Sequence, residues 1–152
     1  MTALSVRTAV PSDVPHLVAM LADDELGAQR ESAGPVLDER YTAAFAAIDT
    51  DPNNELIVAE REGRLVGVLQ LTFIPYLTHT GSWRCLVEGV RVAADARGAG
   101  LGRQLLEFAI DRARARDCRI VQLTSDKRRT EAIRFYESLG FVASHEGFKL
   151  GL

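Results

Sequence analysis

The sequence predicts a mixed α/β sheet. Short runs of alternating apolar and polar residues, bounded by turn residues, read as strands, and other segments carry apolar residues at helical three-and-four spacing. The two periods interleave along the chain in the order β-α-α-β-β-β-α-β-α-β-β, so strands and helices pack in one mixed layer system.

The first strand sets Leu4, Val6 and Thr8 on one side and Ser5 and Arg7 on the other, and Pro11 stops it. Ser12 is the expected N-cap of a helix with Asp13 in its first turn and an apolar stripe of Val14, Leu17, Val18 and Leu21. Residues 27–35, polar and containing Gly34-Pro35, read as a loop. A second helix over 38–48 is expected to bury Tyr41, Ala44, Phe45 and Ile48. After the Asp51-Pro52-Asn53-Asn54 turn, residues 55–60 and 65–74 form an antiparallel hairpin joined at Glu62-Gly63. Residues 75–82 are a loop, and 83–92 a third long strand. The clearest helix spans about 100–116, with Leu101, Leu105, Phe108, Ala109 and Ala113 opposite Arg103, Glu107, Asp111 and Arg114. Residues 120–124 make a strand reached by that helical crossover and hence parallel to the one before. A helix over 130–139 ends at Gly140, and the tail 141–150 can hold two short strands around Glu146-Gly147.

The 152 residues, 47% hydrophobic and 26% charged, are expected to form a single domain over 1–152. A net charge of −3 argues against a general nucleic-acid binder, which needs a basic surplus. No apolar run is long enough to span a bilayer and no signal peptide is evident, so a cytoplasmic protein without membrane partners is expected. Cys85 and Cys118 are too few for a disulfide scaffold and read as packing thiols. His16, His79 and His145 show no metal-ligand spacing, and no metal is expected.

The chemistry concentrates in residues 90–103, Val-Arg-Val-Ala-Ala-Asp-Ala-Arg-Gly-Ala-Gly-Leu-Gly-Arg. A strand ends there and a Gly-rich loop opens into the long amphipathic helix. Glycines free backbone N–H groups to turn toward an anion, the helix N-terminus adds its dipole, and Arg97 and Arg103 add full charges. A phosphate or pyrophosphate suits such a loop; the bland alternative is a simple tight turn. The Lys and hydroxyl of a Walker A loop are missing, and Arg103 stands where a dinucleotide fingerprint wants its third glycine.

These residues resemble the GNAT superfamily of acetyl-CoA-dependent N-acetyltransferases. Arg97-x-x-Gly100-x-Gly102 matches that family's Gln/Arg-x-x-Gly-x-Gly/Ala signature, and Val90-Arg91-Val92 resembles the strand end that holds the pantetheine arm. Downstream, Ala132-Ile133-Arg134-Phe135-Tyr136-Glu137-Ser138-Leu139-Gly140-Phe141 resembles its second motif, and the element order agrees over essentially the whole chain. The resemblance implies a central sheet splayed between strands 4 and 5 with helices on both faces. It also implies acetyl-CoA as co-substrate, paired through its pantetheine with Val90 and Val92. Its pyrophosphate would sit on Arg97, Gly98, Ala99, Gly100, Leu101, Gly102 and Arg103.

The implied reaction is direct attack of a primary amine, on a small molecule or peptide, at the thioester. Tyr136 is the candidate acid for the departing thiolate, or else a packing ring; the Val90 N–H is the candidate oxyanion donor. Glu88 is the candidate base, or else a solvated strand-end carboxylate, and period-two alternation sets it on the face of Val90 and Val92. Gly89 beside it suits a bulge. Many relatives carry an Asn seven residues before the Tyr, where this chain has Arg129; the run Lys127-Arg128-Arg129 either meets the coenzyme phosphates or is a solvated loop. His145 is a lesser candidate for a base or acceptor contact, and Asp23-Asp24-Glu25 a lesser one for attracting an ammonium. Trp83 and Tyr76 are candidates for the acceptor pocket or for the contact of a homodimer. Within the superfamily, the tail with residues 128–136 looks most similar to aminoalkylphosphonate N-acetyltransferases. Two rival functions stand beside this one: a non-catalytic acyl-CoA sensor, and a nucleotide-binding protein using the same loop.

Overall fold

The computed structural model describes residues 3–152. The elements run β1 (Ser5–Thr8), a 3-10 turn (Pro11–Asp13), α1 (Val14–Leu21), α2 (Glu25–Arg30), α3 (Glu39–Thr50), β2 (Asn54–Arg61) and β3 (Arg64–Pro75). They continue with a four-residue turn α4 (Thr78–Gly81), β4 (Trp83–Val92), a 3-10 turn (Ala94–Ala96), α5 (Leu101–Ala115), β5 (Cys118–Leu123) and α6 (Thr130–Ser138). Two compact units result, one ending at Gln122 and the other Leu123–Leu152.

The strands form one mixed sheet in the order β1-β2-β3-β4-β5, antiparallel through β4 and parallel between β4 and β5. The β2–β3 hairpin closes through Glu62 and Gly63, whose φ of 53° and 72° are those of a primed turn matching the twist of the strands. On one face of β3 and β4, Leu69, Leu71, Phe73, Cys85 and Val87 are all 0–2% exposed beneath α5. On the opposite face Val58 and Val68 join Val14, Leu17 and Val18 of α1 and Phe45 of α3 in a second core cluster. Helices thus cover both faces of the first unit's sheet, as expected.

Local chemistry corrects several expected boundaries. Ser12 caps nothing; Asp13, 6% exposed, is the pivot, accepting the Val10 N–H at 2.8 Å and the Arg7 guanidinium. The first part of the expected loop 27–35 is helical, because Asp24 caps α2 by accepting the Gly27 N–H at 2.5 Å. In α3 only Phe45 is buried: Tyr41 and Ile48 are half-buried and Ala44 is exposed. In α5 the apolar stripe is wider than expected, burying Leu106 fully while Phe108 is half-buried. The two tail strands do not form. Residues 141–150 pair with no ladder and leave Val142, Phe148 and Leu150 exposed, since alternation makes a strand only where a neighbouring edge takes its backbone groups.

Candidate functional site

At the end of β4 the ladder carries one extra residue. Glu88 pairs with Gln70 and Arg91 with Val68, so Gly89 and Val90 together oppose the single residue Leu69. Gly89 makes this possible with a φ of 61°, a left-handed conformation that favours glycine. The bulge expected at Gly89 is therefore present, and it overturns the expected face of Glu88. Partners across an antiparallel ladder share a face. Glu88 accordingly stands with Gln70, Val68 and Arg91, whereas Val92 stands with Gly67 on the α5 face. The Glu88 carboxylate is exposed, and Leu21 of α1 lies near the bulge, its Cδ2 3.8 Å from where a Gly89 Cβ would stand.

Arg91 brings its guanidinium to Asp24 at the start of α2. It donates Nη1 to the Val90 carbonyl at 2.8 Å and lies 3.9 Å from Asp24. Asp24 is thus occupied by a cap and a cation, while its neighbours Asp23 and Glu25 are exposed.

After β4 the chain makes its 3-10 turn and enters the Gly-rich loop. Asp95 in that turn pairs with Arg64 at 2.5 Å, and this guanidinium holds its carboxyl below the usual carboxylate range. Arg97 donates Nε to the Val92 carbonyl at 3.2 Å. Gly98 and Gly100 have φ of 84° and 74°, and Gly100 is the N-cap of α5. The first helical bond runs from Gln104 N–H to Gly100 O, so the N–H groups of Leu101, Gly102 and Arg103 precede the ladder. No atom lies within 4 Å of a Cβ placed at Gly98 or Gly100; the loop is open on that side. Ala99 is exposed, Gly102 half-buried, and Leu101 drives its side chain into the core at 1% exposure, anchoring the loop while its amide stays at the helix end. Exposed Arg103 lies 3.9 Å from Glu107. An open glycine turn, uncapped helix donors and two arginines fit a phosphate-bearing ligand.

In the second unit, α6 runs from Arg129 at its N-cap to a C-terminus closed by Gly140 N–H to Glu137 O and Phe141 N–H to Tyr136 O. This pair of bonds is a Schellman motif and fixes Tyr136 in the last turn. The half-buried Tyr136 ring lies 5.3 Å from Phe135 and 6.0 Å edge-on from Phe141, so it does pack. Seven residues separate it from Arg129, about two helical turns or ~10 Å of axis. In the preceding basic run, Arg128 is clamped to Asp126 through its N–H at 2.9 Å and its guanidinium at 2.7 Å, holding that carboxyl far below its usual range. Lys127 reaches Glu146 at 3.2 Å. Exposed His145 has Nδ1 2.7 Å from Ser144 Oγ.

Cys85 is buried and its thiol is pushed up to about 12 by burial, which removes it as a nucleophile; Cys118 is half-buried and shifted the same way. Among the described residues no group of three His, Cys, Asp or Glu side chains converges on a common point. None of the helices there is long and apolar enough to cross a membrane.

Sequence reasoning passed over Arg84. It lies on the ladder face of Glu88, four residues upstream, with its guanidinium 3.0 Å over the Tyr76 ring and donating to Gln122 Oε1. Its parity with Glu88 was the available signal.

Residues 19–141 match the acetyltransferase (GNAT) family. The aminoalkylphosphonate N-acetyltransferase of Salmonella typhimurium is 31% identical over 114 residues, covering 75% of this chain and 73% of that protein. Phosphinothricin N-acetyltransferase of Alcaligenes faecalis is 29% identical over 155 residues, covering 98% of this chain and 77% of that one. A crystal structure from Bacillus halodurans, named a transcriptional regulator, superimposes with a TM-score of 0.96 at 51% identity, covering 99% of this chain and all of that one.

Proposed function

The chain belongs to the acetyltransferase (GNAT) family, and from that premise we propose that it moves the acetyl group of acetyl-CoA onto a primary amine of a small molecule. Family membership supports acetyl-CoA as the donor. The observation that carries the reading is the junction of β4 and α5. An open turn of two left-handed glycines leads into bare helix donors, directly after a bulged strand end that presents Glu88. The Gly98–Arg103 amides with Arg97 and Arg103 would hold the donor's pyrophosphate, and the Val90 and Val92 backbone its pantetheine.

Glu88 takes a proton from the acceptor ammonium, directly or through water, and the neutral nitrogen attacks the thioester carbonyl carbon. The carbonyl oxygen gains the negative charge, which the Val90 N–H stabilises. As the C–S bond breaks, the electron pair leaves on sulfur and Tyr136 gives its hydroxyl proton to that thiolate. The attacking nitrogen, positively charged after addition, sheds its extra proton as the amide forms, and that proton restores the tyrosine through solvent. Small amines are favoured as acceptors because both N-acetyltransferase relatives carry the names of small molecules.

The test pairs thermal protection by acetyl-CoA with release of free CoA thiol across a panel of amines. The expected result is protection by acetyl-CoA exceeding that by ATP or NAD, together with amine-dependent thiol release. A second reading, an acyl-CoA sensor, is favoured by the regulator name of the 51%-identical structure. Protection with no thiol release from any amine would select it.

A further inference from the structure

We propose that Arg84 binds an anionic group of the acceptor, so that the preferred acceptor is an amine with a carboxylate, phosphate or phosphonate several bonds away. This rests on the acetyltransferase reading and adds the substrate's charge pattern to it.

The two faces of the β3–β4 ladder upstream of the bulge differ. The α5 face is closed, whereas on the other Gln70, Thr72, Ile74 and Leu86 are only half-buried and Glu88 is exposed. Arg84, Leu86 and Glu88 pair in unbroken register with Ile74, Thr72 and Gln70, so all three point to that open face. Four residues of strand put the backbones of Arg84 and Glu88 about 13 Å apart. The open face therefore carries a carboxylate suited to an ammonium near the bulge and a cation farther along.

Arg84 is also held in place. Its guanidinium carbon lies 3.0 Å over the Tyr76 ring centroid, and one nitrogen donates to the amide oxygen of Gln122. Both partners are neutral. Among the described residues Arg84 has no carboxylate partner, unlike Arg7, Arg40, Arg112 and Arg128. A half-buried guanidinium with fixed orientation, remaining donors and no counter-ion is arranged for a planar or tetrahedral oxyanion. A mere clamp between β4 and β5 would need the hydrogen bond to Gln122 but not the charge.

The experiment compares wild type, Arg84→Gln and Arg84→Lys on aminoalkylphosphonates of increasing chain length and on uncharged alkylamines of the same lengths, at saturating acetyl-CoA. In wild type the phosphonates should show the lower KM. Arg84→Gln should raise that KM about 10- to 100-fold, the worth of a lost charge-assisted hydrogen bond, with kcat, alkylamine KM and acetyl-CoA protection little changed. Arg84→Lys, which keeps the charge and guards against a folding defect in Arg84→Gln, should fall between them. Equal KM changes for charged and uncharged amines, or none, would overturn the proposal. Thermal protection by the phosphonates is read without turnover and should be lost in Arg84→Gln; protection equal in both proteins, or absent in wild type, overturns it too. A wild type that phosphonates protect but that releases no CoA with any amine would sink the acetyltransfer reading instead.

Discussion

Arg7 and Asp13 face each other across the corner between β1 and α1 through two N–H···O bonds, Nη1 to Oδ2 at 2.7 Å and Nη2 to Oδ1 at 3.1 Å. The same guanidinium reaches Glu60 on β2 at 3.0 Å, so one arginine ties the first strand, its neighbour and the first helix together.

That clamp has a pH signature. The Arg7 hydrogen bonds, aided by the Val10 N–H, hold the Asp13 carboxyl below its usual range. Such a group stabilises the fold fully above the unfolded carboxylate value of about 3.9, and the contribution fades as pH falls through the lower folded value. Asp13→Ala should cost about 2 kcal/mol at pH 7, because a nearly buried acceptor of charged donors is removed. Urea unfolding should show the wild-type advantage at pH 7 shrinking at pH 3. An advantage unchanged by acid would mean that packing rather than the ion pair holds this corner.

Gly100→Asp should abolish protection by acetyl-CoA, since the carboxylate would meet the pyrophosphate at bare helix donors. Gly100→Ala is the control: at a φ of 74° any Cβ is strained, costing about 1–2 kcal/mol, but it brings no charge. The thermal shift caused by acetyl-CoA, rather than the melting temperature itself, separates the two. Full protection in the Asp variant would remove the phosphate role from this loop.

Glu88→Gln keeps shape and loses basicity. Turnover at neutral pH should drop while acetyl-CoA protection stays, and the deficit should narrow toward the acceptor's own pKa, about 10.4 for a lysine-like amine. A profile parallel to wild type at every pH would leave Glu88 without a proton-transfer role.

Tyr136→Phe keeps the ring between Phe135 and Phe141 and removes one oxygen. General-acid catalysis is typically worth ~10²–10⁴-fold, so kcat should fall at least about tenfold with coenzyme binding nearly unchanged. Steady-state CoA release beside a coenzyme titration reads both. An unaltered kcat with chemistry rate-limiting would make the ring a packing element only.

Much of the fold was legible where periodicity runs long. The span Trp83–Val92 was readable to the residue, α5 to within one residue at each end, and the Glu62-Gly63 turn and the Gly140 stop were readable too, because turn glycines and long amphipathic stretches leave local signals. Six-residue α2 is too short to show a period, and its one local mark is the capping Asp24. Ser12 and Asp13 are both good caps in isolation; the choice fell to Arg7, which no local pattern reveals. The Gly-rich loop and the bulge glycine of the candidate site were readable as well. The face of Glu88 was not, since one extra residue breaks the two-residue count. Arg84 was hidden because its partners, Tyr76 just past β3 and Gln122 on β5, are brought to it by the sheet and by no local pattern.

The bulge also makes Gly89 a removable spacer. The ladder is in register on both sides of it, with Glu88 opposite Gln70 and Arg91 opposite Val68. A chain lacking Gly89 could close up as a regular strand, Val90 alone opposite Leu69, with each of those side chains still on its own face. Only the local path of the backbone would change, and with it the aim of the Val90 amide. Such a chain should fold, keep its Gly-rich loop and still be protected by acetyl-CoA, yet transfer poorly. One omitted residue would thus pull apart holding the donor and aiming at it.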